Sequence, residues 1–342
     1  MNDAQPKRSY LKEATSLLGA TLPLLGLNVA IYAAFFFVAL IWFSVWIGMA
    51  ILLGRFSGVA AVVCLIIAVG AGGWGWRLAR RYLLYMVKGA HIAAMTEIML
   101  GRDVPRGVAQ ISYGQEIIKK YFKDVSLLFG LDMLIDGIVR RFTRTAQSIL
   151  NFLPLPQQAR QLVALIRKII ERSASYVDEA ILSYAIARQE ENVFHSARQG
   201  LVLYAQSYKP ILITTVKFYV VAKIFSFLVF FGFMIPALAL SVFEIEWLVF
   251  GAVILAIVAA RLVELALFEP FALAYVMVTF HRETEGKQPN PEWDQKLQGL
   301  SDKFKELVQK AETFATGKGK NPALLQPGMQ VQPPATGGSS GL

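Results

Sequence analysis

The chain has 342 residues, of which 55% are hydrophobic and only 17% charged, with a formal net charge of +10 and a mean hydropathy of +0.48. That balance excludes a soluble globular domain of ordinary composition, because the surplus apolar surface needs lipid to cover it. The positive charge falls beside apolar blocks and within no recognisable binding motif, so it reads as contact with anionic lipid headgroups and not as contact with nucleic acid.

Residues 1–21 form an amino-terminal segment carrying Lys7, Arg8 and Lys12. The apolar stretch behind it is far longer than the roughly 7–15 residues of a secretory h-region, so it reads as a retained span. The first apolar block, Leu22 to Leu53, has no charge and holds Phe35, Phe36, Phe37, Trp42 and Trp46. About 20 helical residues cross a hydrocarbon core, so this block spans with residues to spare and tilts, projects or breaks. After Gly54 to Ser57 a second block runs from Gly58 to Trp76 and ends in Arg77, Arg80 and Arg81, a basic flank that marks the cytoplasmic side. Residues 22–76 are thus expected to form one membrane hairpin with a short outer turn. Cys64, the single cysteine, lies within it and is expected to pack.

Residues 77–217 are basic, with short apolar runs only, and are expected to be helical and cytoplasmic or interfacial. Within them, Ile117 to Leu153 alternates apolar residues with Lys119, Lys120, Asp124, Asp132, Asp136, Arg140 and Arg141. Such charges make a full crossing expensive, which leaves an amphipathic helix on the inner leaflet or a partly inserted hairpin. From Gln157 to Arg188, following Pro154 and Pro156, a stripe of Leu162, Ile166, Ile169, Val177, Ala180 and Tyr184 has the spacing of one helical face.

Residues 218–280 hold a second hairpin. One block runs from Phe218 to Val242 and another from Trp247 to Phe280, separated by an acidic turn through Glu244 and Glu246. Residues 281–315 are expected to form a cytoplasmic amphipathic helix starting at Asn290 and Pro291. Leu297, Leu300, Phe304 and Leu307 recur there at steps of three and four, a short heptad seam suited to packing within the chain or to self-association. Residues 316–342, rich in Gly, Pro, Gln and Ser, read as a disordered tail. The expected fold is an all-α integral membrane protein of about four spans in two hairpins, multi-pass in a bacterial inner membrane, with both termini cytoplasmic.

Candidate chemistry is sparse. Gly70, Gly72 and Gly75 match the G-x-G-x-x-G dinucleotide fingerprint, but inside a membrane span the strand and helix it requires are missing; Gly70, Gly72 and Gly73 read instead as a helix-packing surface. His91, His195 and His281 have no suitably spaced partners, and no hydrolytic triad, metal site, phosphate loop or cofactor motif can be assembled. A non-enzyme without cofactor is expected. The fourth block does depart from what lipid selects, because Arg261, Glu264 and Glu269 interrupt it. Buried ionisable groups need partners. Arg261 and Glu264, three apart, can pair on one helix face, while Glu269, just before Pro270, faces the inner headgroups or a different partner, which Lys217 or Lys223 on the preceding span could supply across the hairpin.

The run from Ser175 to Tyr184, the stretch Phe194 to Arg198, and Leu203 to Ile211 leading into a span resemble the carboxy-terminal part of choline transporter-like proteins, with Thr279 to Glu285 in the place of that family's final polar segment. The resemblance covers residues 175–290 and implies a transport-related protein. That family has more spans than four, which implies that this chain encloses a path as a homo-oligomer or with a partner membrane protein. The expectation is therefore a transport-related or channel-like component, and the rival expectation is a non-catalytic scaffold subunit of a larger membrane complex.

Overall fold

A computed structural model describes residues 10–79, 83–121, 125–148, 170–171, 176–239 and 246–316. Among them the chain is helical and has no strand. The amino-terminal nine residues, most of the 157–188 stripe, the acidic turn at 243–245 and the tail from 317 lie outside the described residues.

Helix α1 (Tyr10–Ala20) is followed by α2 (Leu22–Gly54) and α3 (Gly58–Ala79). The two long helices are uniformly apolar and joined by three residues, so they fold back on each other as a hairpin. Trp42 donates from Nε1 to the Ala68 carbonyl at 3.1 Å, and Ser57 caps α3 by accepting from the Ala60 amide at 3.3 Å. Gly72 is the contact that permits this: a Cβ there would stand 3.1 Å from Trp42 Nε1, whereas one on Gly70 or Gly73 would meet nothing within 4 Å. Within this hairpin, Gly72 is therefore the one of the three glycines that makes the close approach. Gly72→Leu is expected to destabilise the hairpin by about 1–3 kcal/mol through overpacking, and Gly70→Ala to stay within about 0.5 kcal/mol of wild type, both read by thermal unfolding in lipid nanodiscs.

A helical cap follows: α4 (Tyr85–Met99), α5 (Ala109–Tyr121), α6 (Val125–Ser148) and α7 (Val177–Arg188). Helix α8 (Val193–Ala239) then leaves the cap and becomes the third long apolar helix. Its first turns, including Phe194, Leu201 and Tyr204, are buried in the cap, and the backbone kinks at Ser207, three residues before Pro210. Proline removes a helical hydrogen bond and crowds the turn before it, which accounts for the kink. Helix α9 (Glu246–Val263) returns through a one-turn π-helix at Glu264–Phe268 into α10 (Glu269–Thr284), and α11 (Pro291–Leu300) and α12 (Asp302–Ala315) complete the chain.

Four stretches, Leu22–Gly54, Gly58–Arg77, Val193–Pro236 and Gly251–Thr284, are long and apolar enough to cross a membrane. The first two are largely uncovered by protein, as is the third beyond its cap-buried first turns, so their apolar surfaces call for lipid. The fourth differs. From Ala272 to Phe280 the side chains Ala272, Leu273, Ala274, Val276, Met277, Val278 and Phe280 are all buried, on every face of α10, by α1, α7 and α8. A helix apolar all round is one that is surrounded, and here protein does the surrounding.

Two further expectations change in the same way. The apolar face of α6 (Leu131, Leu134, Ile135, Ile138, Val139, Phe142) is buried in the core of the cap with α7 and α8, so protein covers the face that the sequence offered to the inner leaflet. The heptad seam is divided between two helices by an extended Ser301. Leu297, Phe304 and Leu307 are 2%, 0% and 0% exposed within the same core, with Leu300 packed at its edge, so in this fold the seam is spent inside the chain and not on self-association. Helix α1 is docked as well, with Ala14 and Leu17 buried, the Tyr10 hydroxyl donating to Glu283 at 3.0 Å and Arg282 pairing with Glu13 at 3.1 Å.

Candidate functional site at the junction of the long helices and the cap

The π-helix sets up the site. Pro270 has no N–H to give to the carbonyl four residues back, at Ala266, or five back, at Leu265. Asn28, in the second turn of the apolar α2, donates from Nδ2 to both carbonyls, at 3.0 and 3.4 Å. A polar residue in an apolar helix thus satisfies the acceptors that a proline frees, and in doing so ties the two hairpins together. Tyr32, one turn on, packs against Leu265 and Ala266.

Glu264 opens the π-helix and collects three partners. Arg261 reaches Oε2 at 2.7 Å, the Ser226 hydroxyl donates to Oε2 at 3.0 Å, and the Lys223 ammonium pairs with Oε1. Arg261, Glu264 and Lys223 therefore form one cluster across the second hairpin. Glu269 stands apart from it, with no ion pair among the described residues, and lines the same cavity.

That cavity, of about 840 Å³, lies where α2, α3, α8 and the α9–α10 joint meet α4, α6 and α7. Among the described residues seven carboxylates and five Lys or Arg side chains line it, with four tyrosines. At its far side the cap contributes Lys88, paired with Glu179, and Arg140, at 2.5 Å from Asp136. Asp132 and Asp178 also face it and form no ion pair among the described residues. Burial raises Asp132 to about 6, against the pull of Lys88, and burial followed by the charge of Asp132 drives Asp178 well above the ordinary carboxylate range. Burial likewise pushes Tyr85, beside Asp132, far up. Sequence reading saw Asp132 and Asp136 only as obstacles to a crossing, and Asp178, Glu179, Lys88 and Asn28 gave no signal as site residues. The one available clue was that Asp132, Asp136 and Arg140 recur every four residues along one helical face.

His91 borders the cavity but is used structurally. The Thr21 hydroxyl donates to the Leu17 carbonyl at 3.1 Å, so its oxygen accepts from His91 Nε2–H at 2.9 Å and fixes the neutral imidazole. Burial lowers its pKa from 6.5 to about 4. The folded state thus disfavours a proton that the unfolded chain takes up at 6.5, so this contribution is intact above pH 6.5 and is lost progressively as pH falls towards 4. The loss is expected to reach about 3 kcal/mol. Unfolding of wild type and His91→Gln at pH 7 and pH 4 measures it: the variant should lose that much less on acidification, and equal losses would show that His91 does not titrate.

A second buried chain joins Thr96 to Ser183 at 2.8 Å and Ser183 to His281 at 3.0 Å, linking α4, α7 and α10. Ser183 is fully buried, which makes this a tie within the core. Among the described residues no three His, Cys, Asp or Glu side chains are placed to share a metal ion. No family model matches the chain, and no curated protein or solved structure matches it either.

Proposed function

We propose that the chain is a transport-related component of a bacterial inner membrane, both termini and the helical cap on the cytoplasmic side, that holds a small charged solute in the cavity between its apolar helices and its cap. The carrying observation is that one cavity joins the Lys223–Glu264–Arg261 cluster of the long helices to the carboxylates of the cap. Ionisable groups on apolar helices are kept where a polar path needs them. The basic flank at Arg77 supports the orientation. The resemblance of residues 175–290 to choline transporter-like proteins belongs to the same reading, as does assembly into an oligomer or with a partner membrane protein, since four spans enclose little by themselves.

The test is uptake by the full chain in liposomes, over a panel of labelled zwitterionic and cationic organic solutes, together with the mass of the particle purified in native lipid. Uptake above empty liposomes that is lost in Lys223→Met and Glu264→Gln supports transport. No uptake, with a particle built around another protein, overturns it in favour of a membrane scaffold subunit.

A further inference from the structure

Among the described residues the cap side of the cavity has fewer cations than carboxylates. Helix α6 contributes Asp132 and Asp136, and α7 contributes Asp178 and Glu179, against Lys88 from α4 and Arg140 from α6. Both cations are committed, Lys88 to Glu179 and Arg140 to Asp136. Asp132 is left with the Tyr85 hydroxyl, and Asp178 with the amide of Glu179 at 3.0 Å. Among the described residues these two carboxyl groups therefore share the cavity lining with no ion-pair partner of their own, which is unfavourable if both are ionised. Glu179 makes a second, independent point. Its side chain is 7% exposed and lines the cavity, yet its Oε2 is a buried acceptor with no donor among the described residues. Such an atom is costly to bury unless something in the cavity donates to it.

We propose that Asp132 and Asp178 hold a proton at near-neutral pH, so that this corner of the cavity is a proton-binding site. A proton supplies the missing positive charge and turns one carboxylate into a donor among acceptors that lack one. It also fits where a divalent metal does not, given the absence of a three-ligand grouping among the described residues. Release then leaves adjacent carboxylates in the cavity and favours the entry of a cationic group there. Only this last coupling step rests on the transport reading; the proton site itself stands on the cap.

The remaining charges around the pair act in known directions. Lys88 favours the ionised form of both acids, Asp136 opposes it in both, and Arg140 favours it in Asp178. His91 is neutral and bound to Thr21. Across the cavity Lys223 and Arg261 both pair with Glu264, Arg77 adds a positive and Glu269 a negative charge to the lining, and Glu171 pairs with Arg144 at 3.5 Å. The pair titrates as a unit, so its two proton losses belong to both residues.

The experiment is an infrared pH titration of the full chain in lipid nanodiscs, following the carbonyl stretch of protonated carboxyl groups. Wild type should lose such a band as pH rises through about 6. In Asp132→Asn the band that remains, from Asp178, should move down by about one pH unit or more, because the neighbouring charge that held it up is gone. Asp178→Asn should shift the band of Asp132 in the same direction. Each asparagine mimics the protonated acid, and thermal unfolding confirms that the variant is folded; if Asp178→Asn does not fold, Asp132→Asn alone decides. An unchanged band in Asp132→Asn overturns the proposal. So does a band displaced at constant pH when sodium replaces potassium, since the site then takes a metal cation. The titration needs no transported solute, so silent uptake with an intact pair removes the transport reading and leaves the proton site standing.

Discussion

Glu264→Ala is expected to destabilise the protein by about 3 kcal/mol, at the lower end of what removing one partner of a buried ion pair costs. The lower end applies because the cations keep contact with their surroundings: Lys223 and Arg261 are 39% and 51% exposed, while Glu264 is 9% exposed. The loss comes from two cations left without their shared carboxylate on helices otherwise built for lipid. Replacing all three residues together, Glu264→Leu with Lys223→Met and Arg261→Leu, should recover most of it, because a buried ionic cluster exchanged for apolar groups of similar size is often neutral. The difference between single and triple variants, read by thermal unfolding in nanodiscs, gives the coupling directly. A triple variant that is stable but no longer takes up solute separates function from structure in this cluster. A single variant as stable as wild type would show that the cluster holds nothing together.

How far the sequence could be read follows from what hydropathy measures. It reports that a segment avoids water, and α2 accordingly begins at the expected Leu22 and runs to Gly54. It cannot report whether lipid or protein replaces the water. The block from Trp247 through Phe280 reads as a single span, yet its end, from Ala272, is buried in the cap. The faces of α6 and α12 look amphipathic for the same reason, and a folded partner within the chain covers both. Local signals were more readable: Asn290 starts α11 as its position before Pro291 predicts, accepting from the Glu292 amide at 2.8 Å.

The site divides along the same line. Arg261 and Glu264 are three residues apart on one helix, so their pairing follows from helical periodicity, but Lys223, which the sequence offers with Lys217 to Glu269, pairs with Glu264 instead. The acids of the cap are brought together only by the packing of α6 against α7, two helices separated by a long stretch of chain. Asn28 is legible only in hindsight, because its purpose is set by a proline more than two hundred residues later. Contacts of that sequence separation leave no periodic trace.

The same ambiguity makes Phe304 the most informative core residue to remove. It is fully buried and holds α12 against α8 and α6, so Phe304→Ala should cost about 3–5 kcal/mol through the lost contacts and the cavity left behind. Unfolding of the cap measures the cost, and the mass of the purified particle measures whether any assembly depends on the seam. Packing within the chain predicts a large fall in stability with the particle mass unchanged wherever the variant remains folded. An intermolecular seam predicts the reverse, a smaller particle of nearly normal stability, because an aromatic side chain at a subunit contact can be truncated without leaving a hole in the fold. Phe304 touches the helix that leaves the cap to become the third long apolar helix, so loosening it also frees the segment before the kink at Ser207. If the cap governs what enters the cavity, solute uptake should fail in this variant at temperatures where the four long helices are still intact.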